Sequence, residues 1–225
     1  MLLYTNNTER YKKMTVLFED GALIVCVKPA GALSEKSEKP NMVSMIAEHT
    51  GAEPYPVHRL DKETGGVMVY AKTKQAAAQL SEQIRQGSFR KRYLAVLCGI
   101  VENKSGELDD FLFRDRLKNK TFVVDRRRAG VRTAKLEYSI LDEKNGYSFA
   151  DILLHTGRTH QIRVQFSSRK HPLYGDRKYG GCAGDLALFA YSLEFYHPVS
   201  GEKLKFDYYP DFNLPPWNMF EYKND

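Results

Sequence analysis

The segment His58-Arg59-Leu60-Asp61 sets a single carboxylate two residues from a guanidinium, and Lys62-Glu63-Thr64-Gly65-Gly66 follows at once, leading into the apolar run Val67-Met68-Val69-Tyr70-Ala71. The flanking charges and paired glycines describe an exposed, electrostatically held acid rather than a packing position. A carboxylate so placed can act as a nucleophile or stabilise separating charge. Taken alone, the tetrapeptide also fits an ordinary loop ion pair between Arg59 and Asp61.

Four further blocks follow in order. They are Lys91-Arg92-Tyr93-Leu94-Ala95-Val96, Thr156-Gly157-Arg158-Thr159-His160-Gln161-Ile162-Arg163-Val164, Pro172-Leu173-Tyr174-Gly175-Asp176-Arg177-Lys178-Tyr179-Gly180, and Leu188-Phe189-Ala190-Tyr191-Ser192-Leu193-Glu194-Phe195 with His197-Pro198 behind it. With the first segment, this ordered set closely resembles the RluA family of RNA pseudouridine synthases, from about Val16 to about Phe206. Five blocks in register are far more specific than one tetrapeptide.

The resemblance implies an isomerase that breaks the N-glycosidic bond of a uridine, turns the uracil and rejoins it through carbon. No redox change occurs and no group is lost, so no cofactor and no metal is expected. Asp61 is then the nucleophile, acting on a flipped-out uridine; attack on the sugar, attack on the base and assistance in loss of a sugar proton all stay open. Arg163 is the salt-bridging partner that would hold Asp61 ionised and oriented, with Arg158 as rival for that role. Tyr93 would stack on the target base and serve in proton transfer from carbon, and Leu188 would supply an apolar wall. Arg59 could fill the stack vacated by the extruded base.

The chain departs from many relatives in two ways. The core pattern begins almost at once, so a catalytic domain without an S4-type RNA-binding module is expected. Gln165 and Phe189 stand where relatives often have histidine, a difference expected to tune packing.

The elements that must position these residues are partly visible. Val16–Glu19 and Leu23–Val27 flank Asp20-Gly21, a hairpin signal, and Leu136–Leu141 and Ser148–Leu154 flank Lys144-Asn145-Gly146, a second one. Met42, Met45, Ile46 and His49 have the spacing of a buried helix face. Between Thr73, an N-cap, and Gly87, a stop, Ala76, Leu80 and Ile84 recur every four residues and predict an amphipathic helix. Tyr93–Leu97, Leu186–Phe195 and Leu204–Tyr208 read as strands. Strands outnumber helices and tight turns join several of them, so the expected class is α+β with a largely antiparallel sheet. Residues 1–14 are expected to be a loose lead-in, and 15–225 one catalytic domain.

Lys plus Arg exceed Asp plus Glu by 34 to 28 in 225 residues. This basic balance favours a polyanionic partner, and the resemblance implies that the partner is RNA, rRNA or tRNA. From Arg114 to Lys135 the chain carries nine basic residues against two acidic ones, and Arg126, Arg127 and Arg128 within it are candidate phosphate contacts. Cys26, Cys98 and Cys182 are odd in number and widely spaced, which suits neither a disulfide framework nor a zinc pattern. No apolar run reaches membrane-spanning length. A cytoplasmic monomer is expected. The alternatives from other classes are a catalytically silent RNA-binding or RNA-chaperone module, and a glycosidase pairing Asp61 with Glu63.

Overall fold

The computed structural model describes residues 14–222. The expected lead-in therefore falls, apart from Met14, outside the described residues. Eleven strands form a single sheet: β1 Thr15–Glu19, β2 Leu23–Lys28, β3 Tyr55–Pro56, β4 Gly65–Ala71, β5 Arg90–Cys98, β6 Ser105–Asp115, β7 Lys120–Val124, β8 Val131–Lys144, β9 Tyr147–Leu154, β10 Leu188–Tyr196 and β11 Lys203–Asp207. Three helices accompany them, α1 Met42–Thr50, α2 Lys74–Gln86 and α3 Gln161–Ser168. The main strand order is β1-β2-β4-β10-β5-β9-β8-β6-β7, with β11 on β10 and β3 on β4. Every described pairing is antiparallel except β4 with β10. The fold is α+β.

Both faces of the central strands are covered, which is why β2 and β4 read as unbroken apolar runs. On one face Ile24, Cys26, Met68, Tyr70, Tyr93 and Ala95 pack with Met42, Val43 and Ile46 of α1 and Ile162 and Phe166 of α3. On the other, Leu23, Val25, Val67 and Val69 pack under Ala76 and Leu80 of α2. Trp217 and Phe220 close that second face over Leu94, Val96 and Phe149. The alternation along β5 thus assigns Lys91 and Tyr93 to the α1/α3 face and leaves Leu94 to the other.

The helix ends follow from local chemistry. Thr73 caps α2 by accepting from the Ala76 N–H, and Gly87 ends it in the left-handed region at φ 79°. In α1 the expected buried face is corrected at one position: Val43 is buried, whereas His49 is exposed and pairs with Glu19 at 2.9 Å. A short helix at the sheet margin buries little more than one side, so its last turn meets solvent.

The sequence pattern marks no strand between residues 105 and 135, yet β6, β7 and the start of β8 lie there. The period of two is present in part: Leu108 and Leu112 of β6 are buried with Glu107 and Asp109 exposed, and Ala134, Leu136 and Tyr138 of β8 are buried with Glu137 exposed. High charge on the solvated face hides it. Gln165 is fully buried and ties α3 to this part of the sheet, donating to the carbonyls of Leu108 and Ala134 and to Asp110.

The glycine pair after Asp61 has a steric cause. Gly66 lies at φ +131° opposite Ala190 in the one parallel pairing, and a Cβ there would come within 2.2 Å of the Ala190 oxygen. The backbone cannot yield without breaking the β4–β10 pairing that sets one wall of the Asp61 region. Gly66→Ala should cost about 3 kcal/mol or more, lowering the melting temperature by roughly 6–12 °C in a chain of this size. Gly21→Ala, with nothing within 4 Å of the added carbon, should melt with the parent in the same calorimetric scan.

Candidate active site

Asp61 lies in the loop 57–64 that joins β3 to β4, and the loop is pinned on both sides of it. Leu60 is buried, its N–H donates to Ser34 Oγ at 3.0 Å, and Ser34 Oγ donates back to the Leu60 carbonyl at 2.9 Å. The Lys62 carbonyl accepts from Lys28 Nζ at 3.0 Å and from the Gly31 N–H at 2.7 Å. Asp61 itself turns the chain, its carbonyl accepting from the Thr64 N–H at 3.1 Å. His58 holds the far end by accepting from the Val69 N–H at 3.1 Å. Burial, and then the charge of Lys91, push the His58 pKa down to about 3, so its ring serves as a neutral acceptor.

Lys28 is not legible in the sequence as part of this region. Its side chain is fully buried, and its ammonium donates to three carbonyls, of Pro29, Ala32 and Lys62, at 3.0, 2.7 and 3.0 Å. Burial pushes its pKa down to about 7 against the opposing charges of Glu63 and Asp61. In sequence, Lys28-Pro29-Ala30-Gly31 shows only the end of a strand. Ser34 carries no signal either.

Arg163 reaches Asp61 from the first turn of α3. Its Nη1 donates to Asp61 Oδ2 at 3.1 Å, while Nε and Nη2 grip Asp176 Oδ2 and Oδ1 at 2.7 and 2.8 Å. Asp176 has no exposed side-chain surface, and Arg163 is 5 % exposed. Burial opposes the guanidinium charge, but the hydrogen bonds and charges of Asp176, joined by Asp61, outweigh it and raise its pKa above the ordinary value. The guanidinium also lies 5.4 Å over the Tyr179 ring. The rival, Arg158, points its Nε to the Thr133 carbonyl at 2.9 Å and is exposed.

The other side of Asp61 is set by Tyr179 and His160. Tyr179 Oη accepts from the Thr121 N–H of β7 at 2.8 Å and sits 2.9 Å from His160 Nδ1. His160 Nε2 in turn lies 3.9 Å from Asp61 Oδ2. Burial lowers the His160 pKa, only partly offset by Asp61. Sequence reasoning gives no histidine a role at this site, and it misses His160 and Tyr179 although both stand within the family blocks.

A pocket opens over Asp61. Its lining includes Arg59, Tyr93, Leu188, Lys91, Gly157 and Arg158. Tyr93 is 5 % exposed, and burial together with the Asp61 charge raises its pKa, so the phenol stays protonated. Leu188 is equally buried. Arg59 is half exposed at the margin, 3.6 Å from Glu35. The arginine triplet is not in this pocket. Arg126, Arg127 and Arg128 follow β7, all exposed, with Arg127 5.4 Å over Phe111 and Arg128 5.0 Å over Phe113. The basic segment touches the site instead through Thr121, bonded to Tyr179 and to the Thr159 carbonyl, and through Lys120, 5.1 Å over Tyr179.

Residues 22–168 match the family model described as RNA pseudouridylate synthase. The chain belongs to that family. It is 36% identical over 220 residues to a ribosomal large subunit pseudouridine synthase D of Xanthomonas campestris, covering 85% of this chain and 64% of that protein. It is 28% identical over 218 residues to a tRNA pseudouridine synthase C of Haemophilus influenzae, covering 85% of this chain and 90% of that protein. The fold is shared with human RNA pseudouridylate synthase domain containing 4, at TM-score 0.73 and 24% identity over 88% of this chain and 89% of that one. The synthase thus carries, in one pocket, a carboxylate, a buried arginine bound to it and a buried tyrosine.

The buried ion pair sets a test of which arginine supports this synthase. Arg163→Met strands Asp176 without its counter-charge and should cost about 3–5 kcal/mol. Arg158→Met removes one exposed hydrogen bond and should cost less than about 1 kcal/mol. Urea unfolding of the two variants checks the order.

Proposed function

We propose that this synthase isomerises specific uridines of structured RNA, rRNA or tRNA, to pseudouridine, with Asp61 as the nucleophile on a flipped-out uridine. What supports the reading is the 3.1 Å hydrogen bond that holds Asp61 Oδ2 against Arg163 beneath a pocket walled by Tyr93 and Leu188. The N1–C1′ bond of the nucleotide breaks, the uracil turns, and a C5–C1′ bond forms. The C5 proton leaves and N1 gains one, so atoms and charge balance without an oxidant or a second substrate. Attack at C1′, attack at the base and removal of a sugar proton each ask for one oriented carboxylate oxygen, and Asp61 serves all three routes from the same place.

Tyr93 stacks against the uracil in this reading. As a protonated phenol it takes up the C5 proton only by releasing its own. Leu188 closes the apolar side and excludes water from the separated intermediate. Arg59, at the margin, occupies the gap left in the RNA stack. The protein acts as a cytoplasmic monomer, one catalytic domain from residue 15 to 225, without metal or cofactor. The rRNA and tRNA specificities carried in the names of its relatives are the reason both substrate classes stay in view.

Asp61→Asn keeps the size of the side chain and removes the anionic oxygen. Pseudouridine formation should fall by on the order of 10⁴ or more, while the Kd for substrate RNA stays within a factor of about three. Formation near the parent rate would remove Asp61 from the reaction.

The exposed arginines after β7 are assigned to the phosphates of RNA outside the pocket. Replacing Arg126, Arg127 and Arg128 with Gln should flatten the log-log salt dependence of RNA binding by about 0.7 for each single-strand phosphate that is no longer neutralised. The rate at saturating RNA should change little. An unchanged slope in a variant with parent circular dichroism would return these residues to solvent.

A further inference from the structure

Two lysines of this chain are buried beside the Asp61 loop, and they are not equivalent. Lys28 spends its ammonium on three carbonyls. Lys91 is 9 % exposed and lines the pocket, yet among the described residues its ammonium meets neither a carboxylate nor a hydrogen-bond acceptor. Burial, and then the like charge of Arg158, bring its pKa down to about 8. Asp61 does not relieve it. A largely buried cation beside a second cation, with its ammonium open only to the pocket, is costly to maintain, and a merely structural side chain at this position would be better apolar.

The surroundings point the same way. Gly157 stands directly against the ammonium, where even a Cβ would sit 3.2 Å from Nζ. The segment then enters α3, which carries no acidic residue in its own first turn and no side-chain N-cap; the carboxylates near that turn, Asp61 and Asp176, are bound to Arg163. Arg158 is fixed through Nε to Thr133, while its Nη groups make no hydrogen bond among the described residues. Two cations and a helix N-terminus converge on one corner of the pocket.

We propose that Lys91, Arg158 and the backbone entering α3 form a phosphate subsite that receives a phosphodiester flanking the target uridine. This rests on the reading of the pocket as a uridine site. Phosphodiesters are the anions that RNA offers, and a uracil carbonyl would not balance two full charges. Lys91 and Tyr93 share one face of β5, about 7 Å apart along the strand, comparable with the reach from a stacked base across its ribose to a phosphate. The subsite would hold the extruded nucleotide by its backbone and leave the base free to turn against Tyr93. Rotation of the uracil requires that freedom.

The test uses an RNA fragment carrying the uridine that loses its modification in cells lacking this protein, synthesised without pseudouridine. If the parent protein forms no pseudouridine in that fragment, the functional reading fails, independently of the subsite. If it does, a neutral methylphosphonate is placed at the linkage 5′ or 3′ of the uridine, one at a time. One of the two should raise the parent's KM by about tenfold or more, with kcat little changed. Lys91→Met should show that raised KM on the unmodified fragment and lose nothing further from the neutral linkage, and Lys91→Arg should restore most of the binding. A parent KM indifferent to both neutral linkages overturns the proposal even if the Met variant misfolds. So does a folded Lys91→Met protein with an unaltered KM, or one that suffers the full methylphosphonate penalty.

Discussion

One guanidinium holds two carboxylates, and the site is built around that constraint. Arg163 commits two of its nitrogens to Asp176, which is wholly buried, and this bidentate grip fixes the plane and direction of the third nitrogen. Asp61 therefore meets a donor whose position is set from behind rather than by Asp61 itself. Lysine could not do this, since a single ammonium lacks the fork. The arrangement draws three segments together: the loop 57–64, the first turn of α3 and the turn 173–181 that carries Asp176. Each is separately fastened, by Lys28 and Ser34, by Gln165 and by the Gly181 N–H to the Asp176 carbonyl.

The parts of this design that are readable in the sequence are those written in local patterns. Thr73 and Gly87 announce α2, the Asp20-Gly21 and Asn145-Gly146 pairs announce hairpins, and the blocks around Asp61 and Arg163 announce a family. What stays hidden depends on pairing across the chain. Asp61 and Arg163 are 102 residues apart, and no period relates them. Asp176, between Gly175 and Arg177, looks like any turn aspartate until its burial is known. Lys28 looks like a strand-ending cation because its three acceptors are carbonyls, which every residue possesses and no sequence advertises. The strands β6 and β7 are obscured for the opposite reason: their alternation exists, but so many charges stand on the solvated face that composition drowns the period.

The same strands change how the basic segment relates to the pocket. Read as a linear run, it is a strip of cations. Folded, it is a hairpin whose near end braces the site from behind, because Thr121 supports Tyr179, and Tyr179 supports both His160 and the flat face of Arg163. Its far end carries Arg126–Arg128, two of them seated on Phe111 and Phe113. Packing a guanidinium on a ring leaves its edge available to an anion while reducing the freedom given up when one binds.

In its proposed role Asp61 faces a conflict. The pocket must attract a polyanion, and the carboxylate is itself an anion. Two unit charges 5 Å apart repel by about 3 kcal/mol at an effective dielectric of 20, enough to drive a nucleotide from the site or a proton onto the acid. The geometry resolves this by spatial division. Asp61 is bound to the buried Arg163, which it shares with Asp176, so the guanidinium orients the carboxylate but offsets its charge only in part. The cations left uncommitted, Lys91 and the outer nitrogens of Arg158, line another part of the pocket. The pocket that holds the carboxylate thus also offers cations without a carboxylate partner, and the Asp61–Arg163 pair need not open for an anion to find them.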